Sequence, residues 1–181
     1  MTHSNVLTLE QPLHLSSGRS WLVEGAFIGT TVLLPIVAHA LGLSVLVALP
    51  MFWGVMLAGV VYGWPGGLVA ALLSPSVNFL LTGMPVLAIL PVMTLELLAY
   101  GTIPALLRDR VGRGGLFLST AIGVVVGRLL LFLGFVLFIG DLAAVPQWAG
   151  ARVLPGIPAQ LVQIAAVPIL GSMIVRAIRR D

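Results

Sequence analysis

Almost the whole chain after Ser20 divides into long apolar stretches separated by Gly and Pro, and that pattern leaves few folds open. A run of roughly 17 to 25 apolar residues is what a helix needs to cross the hydrocarbon of a bilayer. In that solvent every backbone N–H and C=O has to be satisfied inside the protein, so only helices and closed barrels span it. The alternating polar and apolar strands of a barrel are not seen, and helices are expected. Composition points the same way: 59% of the 181 residues are hydrophobic, 8% are charged, and the mean hydropathy is +1.14, far from a water-soluble domain. The expected fold is an all-α membrane protein, a six-transmembrane-helix bundle in the cell membrane. Its segments are placed near 21–41, 45–61, 66–82, 87–107, 115–139 and 156–178. Residues 1–20 read as a polar N-terminal tail and 21–181 as a single six-helix domain. The tail lacks the basic-then-apolar order of a cleavable signal peptide.

The breaks between segments are "HALGLS", "YGWPGG", "TGMP", "RDRVGRGG" and the long "GDLAAVPQWAGARVLPG". With six spans, Arg19, Arg108, Arg110, Arg113, Arg176, Arg179 and Arg180 all fall on one side, and Arg152 alone among the loop arginines on the other. The positive-inside rule then puts both termini in the cytoplasm.

What is missing narrows the chemistry. There is no Cys, hence no disulfide framework, thiolate nucleophile or cysteine metal site. There is no Lys either: all nine basic residues are Arg, which excludes a Walker A lysine and a Schiff-base lysine. ATP-driven work would require a partner subunit. The sequence pI of 10.6 reflects arginines on a chain poor in acids and speaks for membrane topology, not nucleic acid. No His cluster, Ser-His pairing or paired carboxylates suggest an enzyme, and no metal or cofactor is expected.

The stretch "LPVMTLELLAYG" sets one carboxylate, Glu96, in the middle of an apolar run. An ionisable group there is costly and marks a functional or bundle-interior site. At about 1.5 Å of rise per residue, Asn78, Glu96, Arg128 and Gln163 lie roughly 16 to 22 Å from the cytoplasmic ends of four different helices. Two readings fit this shared layer. In one, Glu96 and Arg128 form a structural ion pair while Asn78 and Gln163 are interhelical hydrogen-bond glue. In the other, the four line a polar pocket for a small solute, with Glu96 accepting from ligand N–H or O–H groups. Tyr100, one turn from Glu96, shares its face. Trp53 offers a stacking surface or a membrane-belt anchor, His39 sits near the outer end of the first helix, and Trp64 is assigned to the belt. Gly25 and Gly29, four apart with Ala26 beside them, give the first helix a small surface that another helix can approach. Glu24 is expected at the interface, where its charge costs less.

The order "LPMFWGVMLAGVVYGWPGGLVAALLSPSVNFLLTGMP" followed by "LPVMTLELLAYGTIPALL" resembles the substrate-binding S components of energy-coupling factor (ECF) transporters, six-helix proteins that capture vitamins and related micronutrients. The resemblance implies an extracytoplasmic pocket closed by outer loops. It implies partnership with a transmembrane coupling subunit and two ATPase subunits, and toppling of the S component in the membrane to release its cargo. It makes Glu96 ligand-facing and "TGMP" the outer turn between helices 3 and 4. Two departures stand out: Gly25-x-x-x-Gly29 replaces the family's Ala-x-x-x-Ala, and Phe52 stands where relatives often carry His. The rival readings are a structural scaffold resembling rod-shape morphogenesis membrane proteins and an ion-coupled secondary carrier. The latter would transport without ATPases.

Overall fold

The structure, a computed structural model, describes residues 11–42, 49–110, 115–140 and 144–180; of Ile139, Ala149 and Arg152 only the backbone is described. Among them there are helices and connections but no strands. Helix α1 spans Gly18–Ala40, α2 Pro50–Thr82, α3 Leu90–Leu107, α4 Gly115–Ile139, the short α5 Val145–Arg152, and α6 Ile157–Arg180, preceded by a 3-10 turn at Leu154–Gly156. Five stretches among the described residues are long and apolar enough to cross a membrane: Gly18–Ala40, Pro50–Thr82, Leu90–Leu107, Gly115–Phe138 and Leu154–Arg180.

Local chemistry sets several ends. Ser17 caps α1 by accepting the backbone N–H of Ser20 at 3.2 Å, so the helix begins before the apolar run does. Pro50 stands in the first turn of α2, where its missing N–H costs nothing. That helix closes at Gly83, whose φ of 72° is the left-handed conformation common at helix C-termini and whose N–H donates to Phe79 O at 2.8 Å.

The expected second and third segments both lie within α2, except for the start of the second, residues 45–48, which lies outside the described residues. The helix is not continuous. Gly63 has φ 71° and ψ −166°, a conformation essentially confined to glycine. Around it the chain folds back. The carbonyl oxygen of Ala58 lies 3.0 Å from where a Cβ on Gly66 would stand, whereas eight residues of continuous helix would separate the two by about 12 Å. Residues 50–62 and 64–82 are therefore two arms of a helical hairpin, with "YGWPGG" as its turn.

The hairpin is the centre of the bundle. Val55, Met56, Ala58, Val61, Ala70 and Ala71 are wholly buried in it, against Leu97 and Tyr100 of α3 and Val167 of α6. α3 enters between the arms, since a Cβ on Gly59 or on Gly67 would collide with the carbonyl of Gly101. α4 runs antiparallel to α3: Gly123, Gly127 and Gly134 face Pro104, Tyr100 and Val92 in reverse order. α1 lies on the outside and leaves Leu22, Leu33, Leu34, Ile36 and Val37 exposed, as a lipid-facing helix does.

Two differences from the sequence reading have simple causes. The long stretch after α4 contains a helix, because the 8 residues of α5 are too few to show a helical period. Trp148 holds it down, with its ring centroid 4.3 Å from that of Phe135 and 6.3 Å from that of Phe132. The polar segment before α1 is tied to the bundle from residue 11 onward. Leu13 N–H donates to Val61 O at 2.8 Å, and Arg179 Nη2 donates to Gln11 O at 2.7 Å. Residues 1–10, and Arg113 in the loop after α3, lie outside the described residues.

Candidate functional site

Helical spacing on α3 places Glu96 and Tyr100 one turn apart on the face turned toward α4 and α6. The Tyr100 hydroxyl donates to Glu96 Oε1 at 2.9 Å. From α4, Arg128 Nη1 reaches the same oxygen at 2.9 Å, with 12% of its side chain exposed against 2% for Glu96. From α6, the amide of Gln160 lies 2.9 Å from Tyr100 Oη, with its oxygen turned to accept from Nη2 and Nε of Arg128. The single phenolic proton is best given to the carboxylate, because a hydrogen bond to a charged acceptor is the stronger one. The result is a closed polar cluster built by three helices in an apolar interior.

Its floor is aromatic. The Phe52 ring, from the first turn of α2, lies 5.0 Å from that of Tyr100 at an interplanar angle of 57°. The other edge of Tyr100 presses on Gly127, where any side chain would displace it. Tyr100 is thus fixed from both sides, which holds its hydroxyl oxygen beside Glu96 and Gln160.

Of the residues expected in the layer, Glu96, Arg128 and Tyr100 come together. Gln163 is wholly buried a turn further along α6 than Gln160, and its Nε2 donates to Leu49 O at 3.2 Å. That bond ties the start of α6 to Leu49, a non-glycine residue at φ 44° just before α2. Gln163 Oε1 is buried without a hydrogen-bond partner among the described residues. Asn78 is buried near the end of the second arm, where Thr82 Oγ1 donates to its carbonyl at 2.7 Å and lies 3.3 Å from its Oδ1. Among the described residues, no hydrogen bond joins it to the Glu96 cluster. Trp53 is half-buried against the core, and His39 is exposed at the end of α1.

Gln160 was missed by the sequence reading. Its signal was a second amide three residues before Gln163, on the same helical face. Glu24, expected at the interface, is wholly buried, because the hairpin turn and the N-terminal segment stand over its level of α1. Gly25 and Ala26 are exposed and Gly29 partly so, and a Cβ on either glycine would meet nothing within 4 Å.

The apolar helices and the polar cluster enclosed by them define the class: this is a multi-pass helical membrane protein. No protein-family model, curated protein or solved structure matches the chain.

Proposed function

We propose that the chain is the substrate-specific S component of an ECF-type importer in the cell membrane, binding a small water-soluble vitamin or related heterocyclic micronutrient. In this reading the two arms of α2 are separate crossings, which makes six with α1, α3, α4 and α6 and brings the arginine-rich ends to the cytoplasmic side. The observation that carries it is the convergence of Glu96, Tyr100, Arg128 and Gln160 from three helices on one buried point. Such groups orient the polar edge of a guest, while Phe52, tilted against Tyr100, and the half-buried Trp53 supply apolar surface. Asn78 and Gln163 bring further amides to the same half of the bundle, and His39 stands at its outer end. The open surface of Gly25, Ala26 and Gly29 fits a helix of the coupling subunit, which with two ATPase subunits would supply the energy that this lysine-free chain does not.

The test is binding by the purified protein to a panel of water-soluble vitamins, with mass spectrometry for ligand carried through purification. A micromolar or tighter ligand lost in Glu96→Gln is expected. No ligand from either measurement would overturn the reading. One observation favours a structural scaffold instead: the four groups already satisfy one another, as interhelical glue would. That reading predicts partner proteins retained, and no uptake defect, when Glu96→Gln and Arg128→Met are combined.

A further inference from the structure

A second polar cluster lies away from Glu96, where α1 passes the turn of the α2 hairpin. Glu24 is wholly buried, and neither of its carboxylate oxygens has a hydrogen-bond partner among the described residues. The hydroxyl of Tyr62, the last residue before Gly63, is also buried without one. Ser20, one turn before Glu24, lies near that hydroxyl. Gly66 packs closely against the same place: the spot where its Cβ would stand is 2.5 Å from Tyr62 Cβ, 3.0 Å from the Ala58 carbonyl oxygen and 3.3 Å from Glu24 Oε2.

Oxygen atoms predominate at this place, with the guanidinium groups of Arg108 and Arg19 at its edge. The first arm of α2 ends at Gly63, so its last carbonyls lack helical partners and carry the negative end of the helix dipole. Val60 O accepts from Arg108 Nη1 at 3.2 Å and Val61 O from Leu13 N–H at 2.8 Å. A carboxylate buried beside that carbonyl end, with no ion pair among the described residues, has to be neutralised by a proton or by a cation. Broken helices in membrane proteins meet this requirement by coordinating a cation with the carbonyls of the break.

We propose that Glu24, the Tyr62 hydroxyl and the carbonyl end of the first arm of α2 form a binding site for one sodium ion. A monovalent ion neutralises the single carboxylate, whereas a divalent one would leave a net charge buried. The few oxygens and the close packing around Gly66 suit Na+ better than the larger K+. Access is short, since Trp64 and Pro65, next after Gly63, are exposed. The site goes beyond the uptake reading and stands without it. A bound ion would brace α1 against the hairpin.

The test uses the full chain in detergent, in sodium-free choline buffer at constant ionic strength and at mildly alkaline pH. Radioactive sodium retention and thermal unfolding are followed as choline is replaced by sodium or potassium. The expected result is retention of about one ion per chain and a rise in Tm of about 5 °C or more near saturation with sodium, and much less with potassium. Glu24→Gln removes both effects, and Tyr62→Phe weakens the apparent affinity about tenfold. If Glu24→Gln does not fold, the wild-type titration and Tyr62→Phe decide. Sodium and choline giving the same Tm with no retained ion, or a wild-type Tm that responds to pH alone, would overturn the proposal. An equal response to potassium would overturn the choice of ion.

Discussion

Gly67 and Gly101 touch through their backbones: a Cβ on Gly101 would stand 2.5 Å from the carbonyl oxygen of Gly67, and one on Gly67 would collide with the carbonyl of Gly101. Gly59, on the other arm of the hairpin, meets the same carbonyl. Three glycines thus let α3 sink between the arms, and this sets how near Glu96 and Tyr100 come to α4 and α6. Without the driving force of water exclusion, close backbone approach is what membrane helices have to pack with.

Gly101→Ala is therefore expected to destabilise the bundle by about 1 to 3 kcal/mol, because the obstacle is backbone and cannot swing aside. Thermal unfolding in detergent measures it. An unchanged Tm would mean that the helices do not lie this close.

Gly63→Ala tests the hairpin itself. Its φ and ψ lie where residues with a Cβ are strained by roughly 1 to 3 kcal/mol, so lower stability or yield is expected. A fully stable variant would argue for a continuous α2.

Breaking the Glu96–Arg128 pair from one side should cost more than removing both charges. Arg128→Met leaves a carboxylate buried with only the Tyr100 hydroxyl, an expected loss of about 3 to 5 kcal/mol. Adding Glu96→Gln should recover much of it. A double-mutant cycle on urea or thermal unfolding reads the coupling, and additive losses would deny the pair its place in the core.

Tyr100→Phe keeps the ring that packs on Phe52 and Gly127 and removes only the donor to Glu96. A loss of about 1.5 to 3 kcal/mol is expected, as for a hydrogen bond to a charged group. Under the uptake reading, ligand affinity falls as well, because the carboxylate is no longer held in one orientation.

Gly25→Leu and Gly29→Leu point into open surface. Stability should change by no more than about 0.5 kcal/mol. Under the uptake reading, co-purification with a coupling subunit should be lost, since the added side chains hold a partner helix away. Retained co-purification would place the docking surface elsewhere.

The sequence by itself determined the solvent of this protein and the segments that face it, because hydropathy and the Gly and Pro breaks are properties of neighbouring residues. It also placed Glu96 and Arg128 at one depth, since helix rise turns residue number into height. What height leaves open is direction around each helix axis, and only the tertiary structure decided that. Gln160 turned inward to Arg128 while Asn78 stayed with Thr82 on its own helix. Glu24 shows the same limit: its position near a helix end suggested water, but the hairpin reversal at Gly63 brought Tyr62 and Gly66 over it. Burial depends on which distant segment arrives: the break at "YGWPGG" was legible in the sequence, but not which helix the turn would come to cover.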